Sequence, residues 1–212
     1  LAEERRKIAD VLRPVIGQHR LAGAVTLVAD KDRVLALDAV GLADIAAGRP
    51  MTTDAVFWIA SMSKPMTAAA FMMVVDEGKV SVDDPVEMYL PEFKGQMVIA
   101  GKDAGRFLLK KPRHPILVRN VLSHTSGLDF KTPLEVPTLD GLPLDAAVRS
   151  YAKSSLLFEP DSAYKYSNAG INTAARIIEV VSGMSYEDFM QNRLFDPLGM
   201  KDTTFWPDAR LA

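Results

Sequence analysis

The stretch F57-W-I-A-S-M-S-K-P-M-T-A-A-A-F71 and its continuation to Val75 are apolar on almost every side, and the run closes at E77-G-K79. A helix without a polar face belongs inside a domain, so this run predicts a central helix around which the rest is arranged. Pro65 falls in its first turn, where a missing N–H does little harm, and Gly78 suits the residue that ends a helix. Lys64 and Asp76 interrupt the run too soon for a membrane span. At its head the run carries a serine, Ser61, and a lysine, Lys64.

The remaining elements follow from periodicity. Ile8, Val11, Leu12, Val15 and Ile16 recur at helical spacing, which predicts an amphipathic N-terminal helix containing Pro14. A22-G-A-V-T-L-V-A-D30 and V34-L-A-L-D-A-V40 flank the turn-like D30-K-D-R33 as a β-hairpin. Residues 115–124 predict a short helix, Leu144 to Ala152 a second amphipathic one and Asn168 to Gly183 a third. Ser185 and Asp188 predict a capping box for a fourth. The locally basic stretch from Lys94 to His114 reads as a solvated loop rather than a binding patch. The expected domains are an α/β region over residues 1–60 and a mainly helical region over 61–212, with a cleft between them and Ser61 at its floor.

Composition narrows the function. The 212 residues are 48% hydrophobic and 25% charged, with net charge −2, so nothing asks for nucleic acid or an anionic membrane as partner. With no cysteine, disulfides, thiolate metal sites and thiol nucleophiles are excluded together. The start, L-A-E-E-R-R-K-I, lacks the apolar core of a signal peptide.

Serine and lysine three residues apart on a helix share one face, close enough to share a proton. In apolar surroundings a lysine's charged form is disfavoured, so it can act as a base and turn the serine into a nucleophile without histidine. The spacing occurs three times, at Ser61/Lys64, Ser150/Lys153 and Ser162/Lys165. The second pair is expected off the apolar face of its helix, and the third lies in a turn-rich stretch. Only Ser61 opens an apolar helix, whose N-terminus also favours an alkoxide. The single Tyr-x-Asn of the chain, Tyr166 and Asn168, is the second element: a phenol to relay protons and an amide to hold a carbonyl. Taken alone, Asn168 also reads as a helix N-cap. His124, in L122-S-H-T-S-G-L128, reads as a turn residue packed by hydrogen bonds. No G-x-S-x-G elbow, zinc-like histidine spacing or glycine-rich phosphate loop is present.

These blocks together resemble the serine β-lactamase-like, penicillin-recognising hydrolases, with class C β-lactamases, family VIII carboxylesterases and D-amino-acid peptidases nearest in pattern. The matching strings begin with W58-I-A-S-M-S-K64, E77-G-K-V-S-V-D-D-P-V86 and Tyr89-Leu90-Pro91. They continue with V121-L-S-H-T-S-G-L128, Y166-S-N-A-G170, I177-I-E-V-V-S-G-M-S-Y186 and Pro197-Leu198-Gly199-Met200. Tyr-Ser-Asn stands where the Ser-Asp-Asn of this chemistry would. The resemblance implies an α/β (α+β) fold in which a helical region packs on an antiparallel sheet, and export to the periplasm or beyond. It implies Ser61 as acylated nucleophile, Lys64 as its proton acceptor, Tyr166 as general base and acid, and Asn168 as the grip on a substrate amide or ester. No metal or organic cofactor is implied. The family's third motif, Lys-Thr-Gly or His-x-Gly, has no match, since Lys131-Thr132-Pro133 has proline for glycine and precedes Tyr166. The expectation is therefore the N-terminal portion of a longer protein, with the C-terminal strands and closing helix supplied by a further segment. Two functions stay open: a serine hydrolase on an amide or ester (β-lactam, carboxylic ester or D-amino-acid peptide), and a non-catalytic scaffold with an incomplete site.

Overall fold

The computed structural model describes residues 2–139 and 141–208, with side chains from residue 8 onward. The chain forms two compact units, Leu1–Trp58 and Ile59–Ala212.

In the first unit, helix α1 (Ala2–Gly17) lies against strands β1 (Gly23–Ala29) and β2 (Val34–Asp44), with a two-residue strand β3 (Arg49–Pro50) on the far edge of β2. The expected hairpin is present: β1 and β2 pair antiparallel from Gly23 opposite Gly41 to Ala29 opposite Val34. Asp30 makes its turn, since its Oδ1 accepts the N–H groups of Asp32 and Arg33, both at 2.8 Å. Among the described residues of this unit, Ala9, Ala36 and Val40 are the buried apolar ones, whereas Val11 is 69% exposed and lies off the covered face of α1. The helical spacing was right, but the apolar face is narrower than it suggests.

In the second unit, helix α2 (Ser63–Asp76) buries Thr67, Ala70, Phe71 and Val74, one stripe at helical spacing. Its opposite side keeps Met72 43% exposed, so α2 is not enclosed on all sides. Gly78 follows with φ +70°, as its position after the helix requires. Strands β4 (Val98–Asp103) and β5 (Arg106–Lys110) form a hairpin where the basic stretch predicted a loop. Both central turn residues, Ala104 (φ +45°) and Gly105 (φ +83°), are left-handed, which is the turn that suits a tight hairpin. Ala-Gly carries only half of the usual sequence signature for that turn, hence the misreading.

Helices α3 (Val118–Leu122), α4 (Leu144–Ala152), α5 (Asn168–Ser182) and α6 (Tyr186–Phe189) follow, in line with the periodicity. Ser185 caps α6 by accepting the Asp188 N–H at 3.0 Å. The hub is α5, which contacts α2, α3, α4 and α6 and buries eight residues, among them Ile177 and Ile178. Around it close Phe71, Val86, Leu90, Val121, Val148, Leu156, Phe189 and Phe195. Each such side chain contributes about 1.5–3 kcal/mol on burial. Gly170, in the first turn of α5, faces the backbone of α3: a Cβ there would stand 2.9 Å from the Val121 carbonyl oxygen. This close approach brings the turn after α3 beside the chain that enters α5.

Candidate active site

Ser61 lies in a 3₁₀ turn, Ala60–Met62, that runs directly into α2, so it precedes the α-helix rather than opening it. Ala60 holds φ +46°, and Ser63 Oγ donates to the Ala60 carbonyl at 2.7 Å, fixing the bend that presents Ser61. Ser61 is exposed and Lys64 half-buried, and Lys64 Nζ donates to Ser61 Oγ at 3.1 Å. Among the described residues no carboxylate pairs with Lys64. The deep burial expected for Lys64 is not met, but a serine within its reach is.

Tyr166 arrives from the segment before α5. Lys64 Nζ stands 4.9 Å from its ring centroid, and Tyr166 is 39% exposed. The Lys64 ammonium first, and then the Ser61 hydroxyl, hold the Tyr166 phenol below the ordinary tyrosine value, because both stabilise a phenolate. Ser61, Lys64 and Tyr166 line one hollow of about 360 Å³ with Pro65, Ala68, Leu122, His124 and Ile171.

Asn168 is the first residue of α5 and is not among those lining residues. The N-cap is Ser167 instead: its Oγ accepts the Gly170 N–H at 3.1 Å and donates to the Asp129 carbonyl at 2.7 Å. The cap reading of Asn168 is therefore incorrect, because the central residue of Tyr-Ser-Asn fills that role. Asn168 Oδ1 is buried with no hydrogen-bond donor among the described residues.

The sequence reading missed His124 as part of this hollow. Its Nδ1 accepts the Ser167 N–H at 3.2 Å, and its ring lies 4.7 Å from that of Tyr166. Burial, followed by the charge of Lys64, lowers its pKa below the ordinary histidine value. Its place in L122-S-H-T-S-G-L128 was visible, but nothing local to that string says which residues it meets.

The two other serine–lysine pairs are committed elsewhere. Ser150 is buried, not off the apolar face as expected; its Oγ donates to the Ala147 carbonyl at 2.6 Å, and Lys153 is exposed. Lys165 pairs with Asp129 at 2.9 Å, and Ser162 Oγ donates to the Glu159 carbonyl. Among the described residues, no cluster of three or more His, Cys, Asp or Glu side chains has a metal-holding arrangement, and no helix is long and apolar enough to cross a membrane.

Comparison with known proteins adds a family. A family model described as Beta-lactamase matches residues 8–211. Protein Rv1367c of Mycobacterium tuberculosis (strain ATCC 25618 / H37Rv) is 34% identical over 206 residues, which are 93% of this chain and 51% of that protein. Esterase EstB of Burkholderia gladioli is 30% identical over 207 residues, 92% of this chain and 50% of the esterase. The solved structure of EstCE1, a hydrolase with promiscuous acyltransferase activity, superposes with a TM-score of 0.80 at 30% identity, covering 99% of this chain and 54% of that one. The chain thus spans about half the length of the proteins it matches.

Proposed function

The chain belongs to the beta-lactamase family and has its β-lactamase/transpeptidase-like α/β fold, and from that premise we propose that it is a serine hydrolase acting on an amide or ester through a Ser61 acyl-enzyme. The observation that carries this reading is the 3.1 Å contact between Lys64 Nζ and Ser61 Oγ in a hollow shared with Tyr166. Ser61 Oγ attacks the substrate carbonyl carbon and yields its proton to the Lys64/Tyr166 pair. Tyr166, whose phenolate the neighbouring Lys64 stabilises, is the acceptor, and Lys64 holds the Ser61 hydroxyl in place for the transfer. The tetrahedral oxyanion is stabilised in part by the Ser61 N–H. Its collapse breaks the bond to the leaving group, which takes a proton from Tyr166. Water, deprotonated by Tyr166, then attacks the acyl carbon, and as the bond to Ser61 Oγ breaks Tyr166 returns that proton to Ser61, releasing the acid product. Asn168, at the head of α5 two residues after Tyr166, grips the substrate amide or ester. β-Lactams, carboxylic esters and D-amino-acid peptides all fit this chemistry, and an activated ester is the easiest acyl donor among them.

The test is the intact mass before and after exposure to a penicillin or a p-nitrophenyl ester, with Ser61→Ala alongside. A stable adduct absent from the variant, with turnover reduced by about 10³-fold or more, is expected. Turnover retained in Ser61→Ala would overturn the assignment. The second reading, a scaffold or binding module without turnover, is favoured by the absence of Asn168 from the lining of the hollow. It predicts a folded protein that forms no adduct.

A further inference from the structure

We infer that His124 is the positioning residue for Tyr166, clamping the segment on either side of it and backing its ring. This rests on the reading of Tyr166 as the proton carrier of the proposed hydrolase. Three contacts converge. The His124 carbonyl accepts the Lys165 N–H at 2.9 Å, and its ring Nδ1 accepts the Ser167 N–H at 3.2 Å, so one residue holds the amides both before and after Tyr166. The imidazole then lies against the phenol ring at 4.7 Å, tilted by 40°. Phe130 stacks on the same phenol ring at 6.2 Å, and Tyr164 meets the imidazole edge-on at 5.8 Å.

To do this, His124 takes φ +61°, a left-handed backbone that a non-glycine residue adopts only when its surroundings fix it. Ser167 is fully buried, so its N–H needs an acceptor, and Nδ1 is the one it has. The neutral ring therefore carries its hydrogen on Nε2. A proton on Nδ1 would remove that acceptor and set a second cation facing Lys64. The clamp acts on Tyr166 alone among the three residues of the hollow that carry the chemistry, which distinguishes it from general packing.

The experiment compares His124→Asn, His124→Phe and His124→Ala with the unaltered protein. Asparagine keeps an acceptor near the place of Nδ1 and tolerates a left-handed backbone; phenylalanine keeps the ring and loses the acceptor. The first readout is the ionisation of Tyr166, taken as the phenolate absorbance lost in Tyr166→Phe. The second is kcat and KM for an activated ester. In His124→Phe the phenol is expected to ionise at the ordinary tyrosine value, with kcat down by about 10-fold or more at unchanged KM; in His124→Asn both stay within about 3-fold of the original. A His124→Phe variant that keeps the early ionisation and a kcat within about 2-fold overturns the inference. If the protein hydrolyses nothing, the hydrolase reading fails while the phenol titration still decides the clamp. If His124→Phe does not fold, the Asn and Ala variants decide instead: equal titrations overturn the clamp, and a shift confined to Ala supports it.

Discussion

At the residue scale, the proposed site works by proton sharing between Ser61, Lys64 and Tyr166, and the groups around it keep that sharing intact. Lys64 contacts Ser61 and faces Tyr166, while its charge also bears on His124. The folded His124 has a pKa below its unfolded value of about 6.5, through burial and the Lys64 charge. As pH falls through that unfolded value, the unfolded chain binds a proton that the folded protein does not. Stability therefore drops with falling pH in this window, and the loss levels off once pH is below the folded pKa. Melting temperature measured from about pH 7.5 to about pH 5 is expected to fall, and His124→Asn is expected to flatten part of that slope. An identical slope in the variant would show that His124 takes up no such proton. The Ser61/Lys64 pair was legible from the chain because its two rivals sit in sequence contexts that promise other partners. His124 was not, because a histidine in a turn has no periodicity to reveal what lies across from it.

At the scale of elements, the crossing of α3 and α5 carries the site. Both Tyr166 and His124 stand just outside helices whose ends meet there, and Gly170 permits the contact. Gly170→Ala puts a Cβ 2.9 Å from a backbone carbonyl that cannot swing aside. The strain of about 1–3 kcal/mol outweighs the roughly 1 kcal/mol that alanine gains as a helix former. A lower urea midpoint with an unchanged slope is expected, and an unshifted midpoint would mean that α5 retreats freely. Ser167→Ala tests the same junction from the cap: it loses the bond to the Gly170 N–H and the bond to the Asp129 carbonyl. A cost of about 1–2 kcal/mol is expected from thermal or urea unfolding, and a smaller loss than for an ordinary exposed cap would deny the second bond any weight.

At the scale of the whole molecule, the buried polar cluster in the second unit ties together segments far apart in the chain. Glu135, 1% exposed, accepts from the Thr132 N–H at 2.7 Å and from the Tyr151 hydroxyl at 2.6 Å. Asn172 of α5 donates in turn to Tyr151 Oη at 3.0 Å. Burial, and then the Glu135 carboxylate, raise the Tyr151 phenol well above the ordinary tyrosine range, so it remains a donor at any physiological pH. Replacing Glu135 by alanine orphans two buried donors at once, at about 2–4 kcal/mol. Hydrogen exchange of the α5 amides is the direct readout, and protection equal to that of the unaltered protein would show the cluster to be dispensable.

The sequence by itself determined α1, the first hairpin, α2 with its glycine stop, the run of later helices and the choice of Ser61, Lys64 and Tyr166 as candidates, because each of these is written in local spacing and composition. It also carried the family resemblance, since the matching blocks are short strings in fixed order. Tertiary structure decided what local spacing cannot encode: that α5 rather than α2 is the hub, that Ala104-Gly105 closes a hairpin, and that Ser167 caps α5 while the buried Asn168 oxygen has no donor among the described residues. It alone brought His124 against Tyr166. The physical reason is that burial, pairing and pKa depend on which distant segments approach, and that approach is set by contacts such as Gly170 on Val121, which no window of sequence contains.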